Sequence, residues 1–203
     1  MNSRTDISHS VKVVSEEIEK CKHAFFAIRK RGQHVEIIQD NQVAFLKSGI
    51  VTIHRIEDGL LTNSIKAPAV IGLGHIHDIG LTHFIQCKSE CSMWILDSNI
   101  AFDLFTEKSL WQDAFFIIRK FLYICMPKRK LIHKSSAREI VIEHLKEIWA
   151  LDEPERHTTS VYNFILSRNN ISRSAVQKVV RELESSGDIK FYRGKLIELN
   201  EMA

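Results

Sequence analysis

The segment ISRSAVQKVVRELESSGDIKFYRGKLIEL, residues 171–199, places the strongest constraint on the fold of this 203-residue chain. Ser172 stands where a helix N-cap belongs, and Gly187 stands where a helix can close with a residue at positive φ. Between them, four apolar residues at the spacing i, i+3, i+4 and i+7 share one helix face: Val176, Val179, Val180 and Leu183. The pattern predicts a helix with one buried face, followed by a short hairpin.

The opposite face of this predicted helix is polar and positively charged. It carries Arg173, Ser174, Gln177, Lys178 and Arg181. These side chains, together with Ser172 at the cap, are of the types that reach base edges and phosphates in duplex DNA. We therefore interpret the segment as a recognition helix that contacts DNA through these six residues; an ordinary solvated helix is the alternative.

The surrounding sequence supplies the other parts of a winged helix-turn-helix. The pattern S-x-x-E at Ser136 and Glu139 is a capping box that opens a helix. A short helix, VYNFIL, and a turn, SRNNI, lead into the recognition helix, and the strands 189–192 and 195–199 follow it. Arg193 and Lys195 would lie at the tip of the wing, where they can contact backbone phosphates.

The first half of the chain has a different pattern. Five apolar residues recur at intervals of four and three, which predicts one amphipathic helix: Val14, Ile18, Cys21, Phe25 and Ile28. Short β-rich runs separated by turn residues follow: VEII, QVAFL, IVTIHR, LLTNSI, AVIGL and HFIQCKSECSMWIL. Several short strands at roughly ten-residue spacing predict a small β-roll or barrel.

A long helix is predicted to begin near Ser109, and it carries two adjacent apolar stripes. An apolar arc this wide must be covered on more than one side. One side can pack on the β-roll, and the other suits the same helix of a second subunit, so we expect a homodimer; burial within one subunit is the alternative. The interface stripe would comprise Trp111, Phe115, Ile118, Leu122 and Cys125.

Charge and hydropathy limit the classes of protein to consider. Residues 128–195 hold 14 Lys and Arg against 9 Asp and Glu, whereas the charges of residues 1–127 balance. A local positive field favours a polyanion such as double-stranded DNA. No apolar run approaches a membrane span, and the first residues lack a signal-peptide pattern, so we expect a cytoplasmic protein.

The predicted order of helix, β-roll, long helix and winged helix resembles the superfamily of cyclic-AMP receptor protein/FNR-type transcription regulators. The segments SRSAVQKVVRELESSGDI and GKLI give the best local match, and LKSGIVTI resembles the family's glycine-bearing strand turn. Within the superfamily the chain looks most like the IprA-type regulators, which implies a role in hydrogen-peroxide resistance. The resemblance implies an α+β fold: a β-roll domain over residues 1–108, a dimerisation helix and hinge over 109–134, and a winged helix-turn-helix over 135–203.

The chain departs from nucleotide-binding members where the ligand would be held. Their Gly-Glu pair is Gly72-Leu73 here, and the position of their phosphate-binding Arg falls near Leu81. A buried phosphate without a cationic partner is strongly unfavourable. We therefore expect a degenerate roll that does not bind cyclic AMP in the usual way, and no cofactor. The Glu that usually follows the Ser-Arg pair is Ser174, so a different target sequence is expected.

Two other clusters were weighed as functional sites. His75, His77 and His83 have metal-like spacing, but the Glu that cupin metal sites place about four residues further on is replaced by Leu81. We therefore expect loop histidines and no metal site; a metal or haem sensor site is the alternative. Cys87 and Cys91 would lie roughly 13 Å apart on one continuous strand, too far for a disulfide without a bend. Buried thiols are the favoured interpretation, and a redox pair is the alternative.

These observations predict a DNA-binding transcription regulator, independent of cyclic AMP and linked to oxidative stress. RNA polymerase or another regulator would be its protein partner. The alternative is a protein-interaction or antirepressor module that uses the winged helix as a docking surface. No catalytic motif is present in the sequence, so we do not expect an enzyme.

Overall fold

The computed structural model describes residues 7–37, 40–75, 82–125 and 136–200, without the side chains of residues 75, 124 and 125. The chain divides into two compact units, residues 1–128 and 129–203. In the part of the chain that the structure describes, no helix is long and apolar enough to cross a membrane.

Over its described residues, the first unit is built from two antiparallel four-stranded sheets and three α-helices. The sheet orders are β1-β8-β3-β6 and β2-β7-β4-β5. The strands are β1 (Phe25–Arg29), β2 (His34–Val35), β3 (Gln42–Ser48), β4 (Ile50–Arg55), β5 (Leu61–Lys66), β6 (Ala69–Ile71), β7 (His83–Cys87) and β8 (Cys91–Asp97). The helices are α1 (Ile7–Lys20), α2 (Ser98–Glu107) and α3 (Trp111–Cys125), with a one-turn 3-10 helix at Leu73–His75.

Two apolar clusters hold this unit together. The first fills the space between the sheets and includes the buried Leu46, Val51 and Ile85. The second joins the other side of the sheet β1-β8-β3-β6 to the three helices. The predicted β-roll and long helix are therefore confirmed.

The predicted N-terminal helix is too long. Helix α1 ends at Lys20, and Phe25 and Ile28 lie on strand β1, where Phe25 pairs with Ile95 of β8. Both side chains are largely exposed, so their helical spacing does not mark a buried face. Strand pairing overrides the helical pattern here, which fits the β propensity of the run FFAI.

The second unit is a small helical domain with a hairpin. Its elements are α4 (Ala137–Trp149), α5 (Glu153–Thr158), α6 (Val161–Leu166), α7 (Arg173–Ser185), β9 (Ile189–Tyr192) and β10 (Lys195–Leu199). The predicted capping box is present, since Ser136 accepts from the backbone of Glu139 and the Glu139 side chain accepts from the backbone of Ser136. Fully buried Leu145, Ile165 and Leu196 join α4 and α6 to the hairpin. This order of elements is that of a winged helix-turn-helix.

Candidate nucleic-acid interface

Helix α7 is fixed by its apolar face and by its cap. The Ser172 hydroxyl accepts a hydrogen bond from the backbone N–H of Ala175 at 3.2 Å, so Ser172 is the N-cap. Gly187 has φ +81° just past the helix, as its position predicted. The four apolar residues of the pattern are all buried in the domain core: Val176, Val179, Val180 and Leu183.

The polar face of α7 is open to solvent. Of the six predicted contact residues, Gln177 is half-buried and the others are exposed: Ser172, Arg173, Ser174, Lys178 and Arg181. A shallow groove runs along this face and is lined by Ser174, Gln177, Lys178, Arg181, Glu182 and Ser185. The structure therefore brings the predicted α7 residues together on one accessible surface.

Two neighbouring residues of this surface were not identified from the sequence. Tyr162 on α6 lies beneath Arg173, whose guanidinium is 5.5 Å from the centre of the ring. Arg138 on α4 approaches Glu182 on α7, with 3.8 Å between the guanidinium and the carboxylate. Neither position stands out in the sequence, because each lies on a different helix and joins α7 only through tertiary packing.

The wing is tied to the rest of its domain. Strands β9 and β10 pair antiparallel, and Arg193 and Gly194 form the turn with φ values of +47° and +83°. Such a pair of positive φ values is typical of a tight hairpin turn. The Gly194 carbonyl accepts from the backbone N–H of Val161 at 2.9 Å, and the Lys195 ammonium donates to the carbonyl of Thr158.

The two predicted wing contacts, Arg193 and Lys195, differ in exposure and in their hydrogen bonds within the domain. Arg193 is exposed and lies over the ring of Tyr192, 5.2 Å from its centre. Lys195 is half-buried and already donates one hydrogen bond within the domain. An ammonium has three donors, so Lys195 keeps others for a phosphate.

The predicted interface stripe of α3 lies largely at the surface. Trp111, Phe115 and Leu122 are exposed by 37%, 60% and 51%, whereas Ile118 packs at the edge of the core. The side chain of Cys125 lies outside the described residues. The first part of the other stripe faces inward, since Leu110, Ala114 and Ile117 are buried, whereas Phe121 further along is 37% exposed. The helix therefore covers its own unit with one face and leaves an apolar face without cover in that unit.

The part of the first unit that corresponds to the ligand site of nucleotide-binding members, Gly72 to Leu81, is partly described. Leu73 is buried in the apolar cluster that joins the sheet β1-β8-β3-β6 to the helices, and Leu81 lies outside the described residues. Gly72 has φ +88°, and a Cβ there would meet the carbonyl oxygen of Gln42 at 2.3 Å. The buried leucine side chain has no group that could hydrogen-bond a ribose hydroxyl.

The histidine cluster is only partly described, because His77 and the side chain of His75 lie outside the described residues. His83 is half-buried, and burial, with the nearby Arg55, lowers its pKa. Among the described residues, no group of three His, Cys, Asp or Glu side chains is placed to hold a metal ion.

The two cysteines are closer than a single strand would allow. Cys87 ends β7 and Cys91 begins β8, so the chain bends between them and they do not lie on one continuous strand. Both are buried free thiols, as the favoured interpretation expected. Burial and the neighbouring Cys91 raise the pKa of the Cys87 thiol to about 12.

Comparison with known proteins agrees with this architecture. Residues 137–203 match the family described as winged helix-turn-helix DNA binding. The second unit therefore has the winged helix-turn-helix fold and is similar in sequence to this family of DNA-binding domains.

Two relatives are similar over nearly the whole chain. The inhibitor of hydrogen peroxide resistance of Salmonella typhimurium is 25% identical over 91% of this chain and 92% of its own length. The protein of the same name from Escherichia coli K12 is 24% identical over 92% of each chain.

Solved structures share the fold of both units. The c-di-GMP-responsive global regulator CLP of Xanthomonas campestris has a TM-score of 0.70 at 14% identity, covering 94% of this chain and all of that chain. A CooA mutant from Carboxydothermus hydrogenoformans has a TM-score of 0.63 at 13% identity, covering 89% of this chain and 85% of that one. A putative transcriptional regulator of the CRP/FNR family from Eubacterium rectale has a TM-score of 0.54 at 16% identity, covering 98% and 91%. The chain thus has the fold of CRP/FNR-type transcription regulators.

Proposed function

We propose that this protein is a sequence-specific, DNA-binding transcription regulator. The observation that carries the proposal is the capped helix α7, whose apolar face is buried while two Arg, one Lys and one Gln line its accessible side. In helix-turn-helix proteins the second helix lies in the major groove, where such side chains reach base edges. Arg173, Gln177 and Lys178 would contact bases or adjacent phosphates.

The remaining predicted residues complete the contact surface. Ser172 and Ser174 lie at the N-terminal end of α7, which faces the bases in this mode of binding. Arg181 and the wing residues Arg193 and Lys195 would contact the sugar-phosphate backbone. Phosphate contacts position a protein on the duplex and base contacts give specificity, so the two sets should differ in what their loss does.

We further propose that the protein acts as a homodimer through the exposed stripe of α3. The chain would comprise a β-roll domain (1–108), a dimerisation helix and hinge (109–134) and the DNA-binding domain (135–203). Two copies of α7 would contact half-sites about one helical turn apart on the duplex. Such a regulator would act in the cytoplasm, on RNA polymerase or on another regulator.

The β-roll would work without cyclic AMP. The buried Leu73 supports this proposal, because nucleotide-binding members of the superfamily have a Glu at this position, whose carboxylate binds the ligand. A link to oxidative stress is supported by the relatives from Salmonella and Escherichia coli, which are named inhibitors of hydrogen peroxide resistance.

The test is a binding selection from genomic fragments with the purified protein at two salt concentrations, repeated with Arg173→Ala and with Lys190→Ala. Lys190 is an exposed cation of the same domain that is paired with Glu198, so it is a matched control. We expect a two-fold-symmetric motif that Arg173→Ala loses and Lys190→Ala keeps, since a good base contact is worth about 1–3 kcal/mol.

The alternative, a protein-docking or antirepressor module, predicts a different result. Binding would then be weak, blind to sequence and abolished by moderate salt, and Arg173→Ala would leave it nearly unchanged. That outcome would overturn the regulator proposal and direct attention to a protein partner for the same surface.

A further inference from the structure

The turn that leads into helix α7 is joined to helix α4 by three side chains, which we call the turn clamp: His144, Glu147 and Asn169. His144 Nδ1 lies 3.1 Å from a carboxylate oxygen of Glu147, one turn along α4. Its other ring nitrogen, Nε2, contacts Asn169 Nδ2. The same Nδ2 donates to the carbonyl of Ile165 at 3.0 Å. The clamp therefore connects α4, the end of α6 and the approach to α7.

The partners of the clamp fix where its protons lie. The Glu147 carboxylate can only accept, so His144 Nδ1 must carry a proton and donate it. The Ile165 carbonyl can only accept, so the atom that faces it is the amide nitrogen of Asn169. That NH2 group has two hydrogens, and the second points at His144 Nε2. The contact is a hydrogen bond only when Nε2 has a free lone pair, which is the neutral imidazole with its proton on Nδ1.

Protonation of Nε2 would break this arrangement. Two N–H groups would then face each other, and Asn169 could respond only by turning its amide oxygen toward the ring. The turned amide would set an oxygen against the Ile165 carbonyl and lose that hydrogen bond. Because His144 is only 13% exposed, water cannot easily replace the lost partners.

We propose that His144 and Asn169 are positioning residues for helix α7, and that protonation of His144 releases the turn and weakens DNA binding. This inference rests on the proposed function, because it concerns how the DNA-contacting helix is held. Asn169 lies three residues before the N-cap Ser172, so a change at the clamp is transmitted over one short turn.

Two charged groups lie close to the clamp. Glu147 on the same helix accepts the hydrogen bond of His144, and this hydrogen bond lowers the pKa of Glu147. Arg168 of the turn also lowers the pKa of Glu147; its guanidinium lies 3.6 Å from the ring centre of Phe164 on α6 and donates to the Phe164 carbonyl at 3.0 Å. Phe164 itself presents its ring edge-on to His144.

The direction in which DNA affinity changes with pH distinguishes the turn clamp from general electrostatic attraction. Histidine side chains change charge between about pH 5 and 8, and added positive charge ordinarily strengthens attachment to a polyanion. The clamp predicts the opposite, a loss of affinity as the pH falls. Loss of one hydrogen bond at the turn corresponds to a weakening of about 3- to 10-fold.

The experiment measures the affinity of the full chain for a fluorescein-labelled duplex, obtained from the genomic selection, at about pH 8 and about pH 5.5 at constant salt. We expect the wild type to weaken at low pH. His144→Gln should bind with little pH dependence, because its amide oxygen can accept from Asn169 and does not titrate. Asn169→Ala should be weak at both pH values. His157→Gln is the matched control: His157 lies on α5, paired with Glu153 and outside the clamp, so this variant should behave as the wild type.

Several results would overturn the proposal. They are a wild-type affinity that rises or stays constant as the pH falls, or a pH dependence that His157→Gln removes and His144→Gln keeps. A second measurement needs no DNA: long-range 1H–15N NMR of the imidazoles should show the Nδ1–H tautomer for His144 at about pH 8. An Nε2–H tautomer would refute the clamp.

The two measurements also distinguish a refutation of the turn clamp from a refutation of DNA binding. A wild type that binds no duplex at any pH would contradict DNA binding and, with it, the role of the clamp. The Nδ1–H tautomer would still be observed in that case. A wild type that binds DNA while His144 shows the wrong tautomer refutes the clamp alone.

Discussion

The exposed stripe of helix α3 gives the most direct test of the dimer. Phe115 is its most exposed member, at 60%, and Leu122 lies two turns further along at 51%. Large apolar side chains that line one helix face at this exposure favour association with another protein surface. We propose that a second copy of the same helix packs on this stripe. Phe115→Ala removes the side chain with the largest exposed fraction in the stripe.

The size of the effect follows from the exposed fraction. Complete burial of a Phe side chain contributes about 1.5–3 kcal/mol, and three-fifths of Phe115 remains to be buried, so each copy contributes about 1–2 kcal/mol. A two-fold interface contains the residue twice, which gives about 2–4 kcal/mol in total. Phe115→Ala should therefore raise the dimer dissociation constant by about 30- to 700-fold.

Sedimentation velocity over a concentration series measures this constant directly. Phe25→Ala is the matched control, because Phe25 is 49% exposed on strand β1, away from α3. It should leave the dissociation constant unchanged, and both variants should keep the wild-type circular dichroism spectrum. A wild type that is monomeric at all concentrations, or a Phe25→Ala effect as large as that of Phe115→Ala, would refute the assignment of this stripe as the interface.

Three further predictions concern the stability and reactivity of the chain. Gly72→Ala should strongly lower the unfolding midpoint in thermal denaturation, because its Cβ would meet the Gln42 carbonyl at 2.3 Å. Gly32→Ala, at φ +85° in open space, should cost only about 1–2 kcal/mol in the same measurement. Leu183→Ala should destabilise the winged domain by about 2–5 kcal/mol in urea titration, since the side chain is fully buried. Iodoacetamide at about pH 8 should leave Cys87 unmodified in the folded protein and modify it in urea, because burial raises its thiol pKa to about 12. Rapid modification of Cys87 in the folded chain would contradict its burial.

Most elements of the winged domain could be predicted because their signals are local; helix α5 (Glu153–Thr158) is the exception, since its Asp-Glu-Pro-Glu start indicates the end of a helix rather than a new one. The cap at Ser172, the apolar spacing of α7 and the turn at Arg193-Gly194 each act within a few residues, and the structure has each of them. The mutual placement of α4 and the turn could not be predicted. The contact of His144 with Asn169 joins residues 25 apart, and a sequence does not show which helix faces will meet.

The first unit shows the opposite case, in which pairing over long distances decides local structure. Phe25 and Ile28 continue the helical spacing of α1, yet they pair with strand β8 some seventy positions later. A helix there would leave β8 without its neighbour on that side, since the sheet order is β1-β8-β3-β6. Periodicity alone could not reveal this, because three apolar positions at the end of a helix and a short edge strand give similar patterns.

The cysteine pair shows that proximity in the fold does not establish reactivity. The chain bends between β7 and β8, and the Cys91 thiol donates to the carbonyls of Ile50 and Ser89 at 3.4 Å each. Gly49 lies against it so closely that a Cβ there would be 2.7 Å from the sulfur. Burial raises the pKa of the Cys87 thiol to about 12, so Cys87 is a thiol and not the reactive thiolate at neutral pH. Direct oxidation of this pair would thus require the hairpin to open first, so the burial of these thiols does not support them as the basis of the proposed link to peroxide.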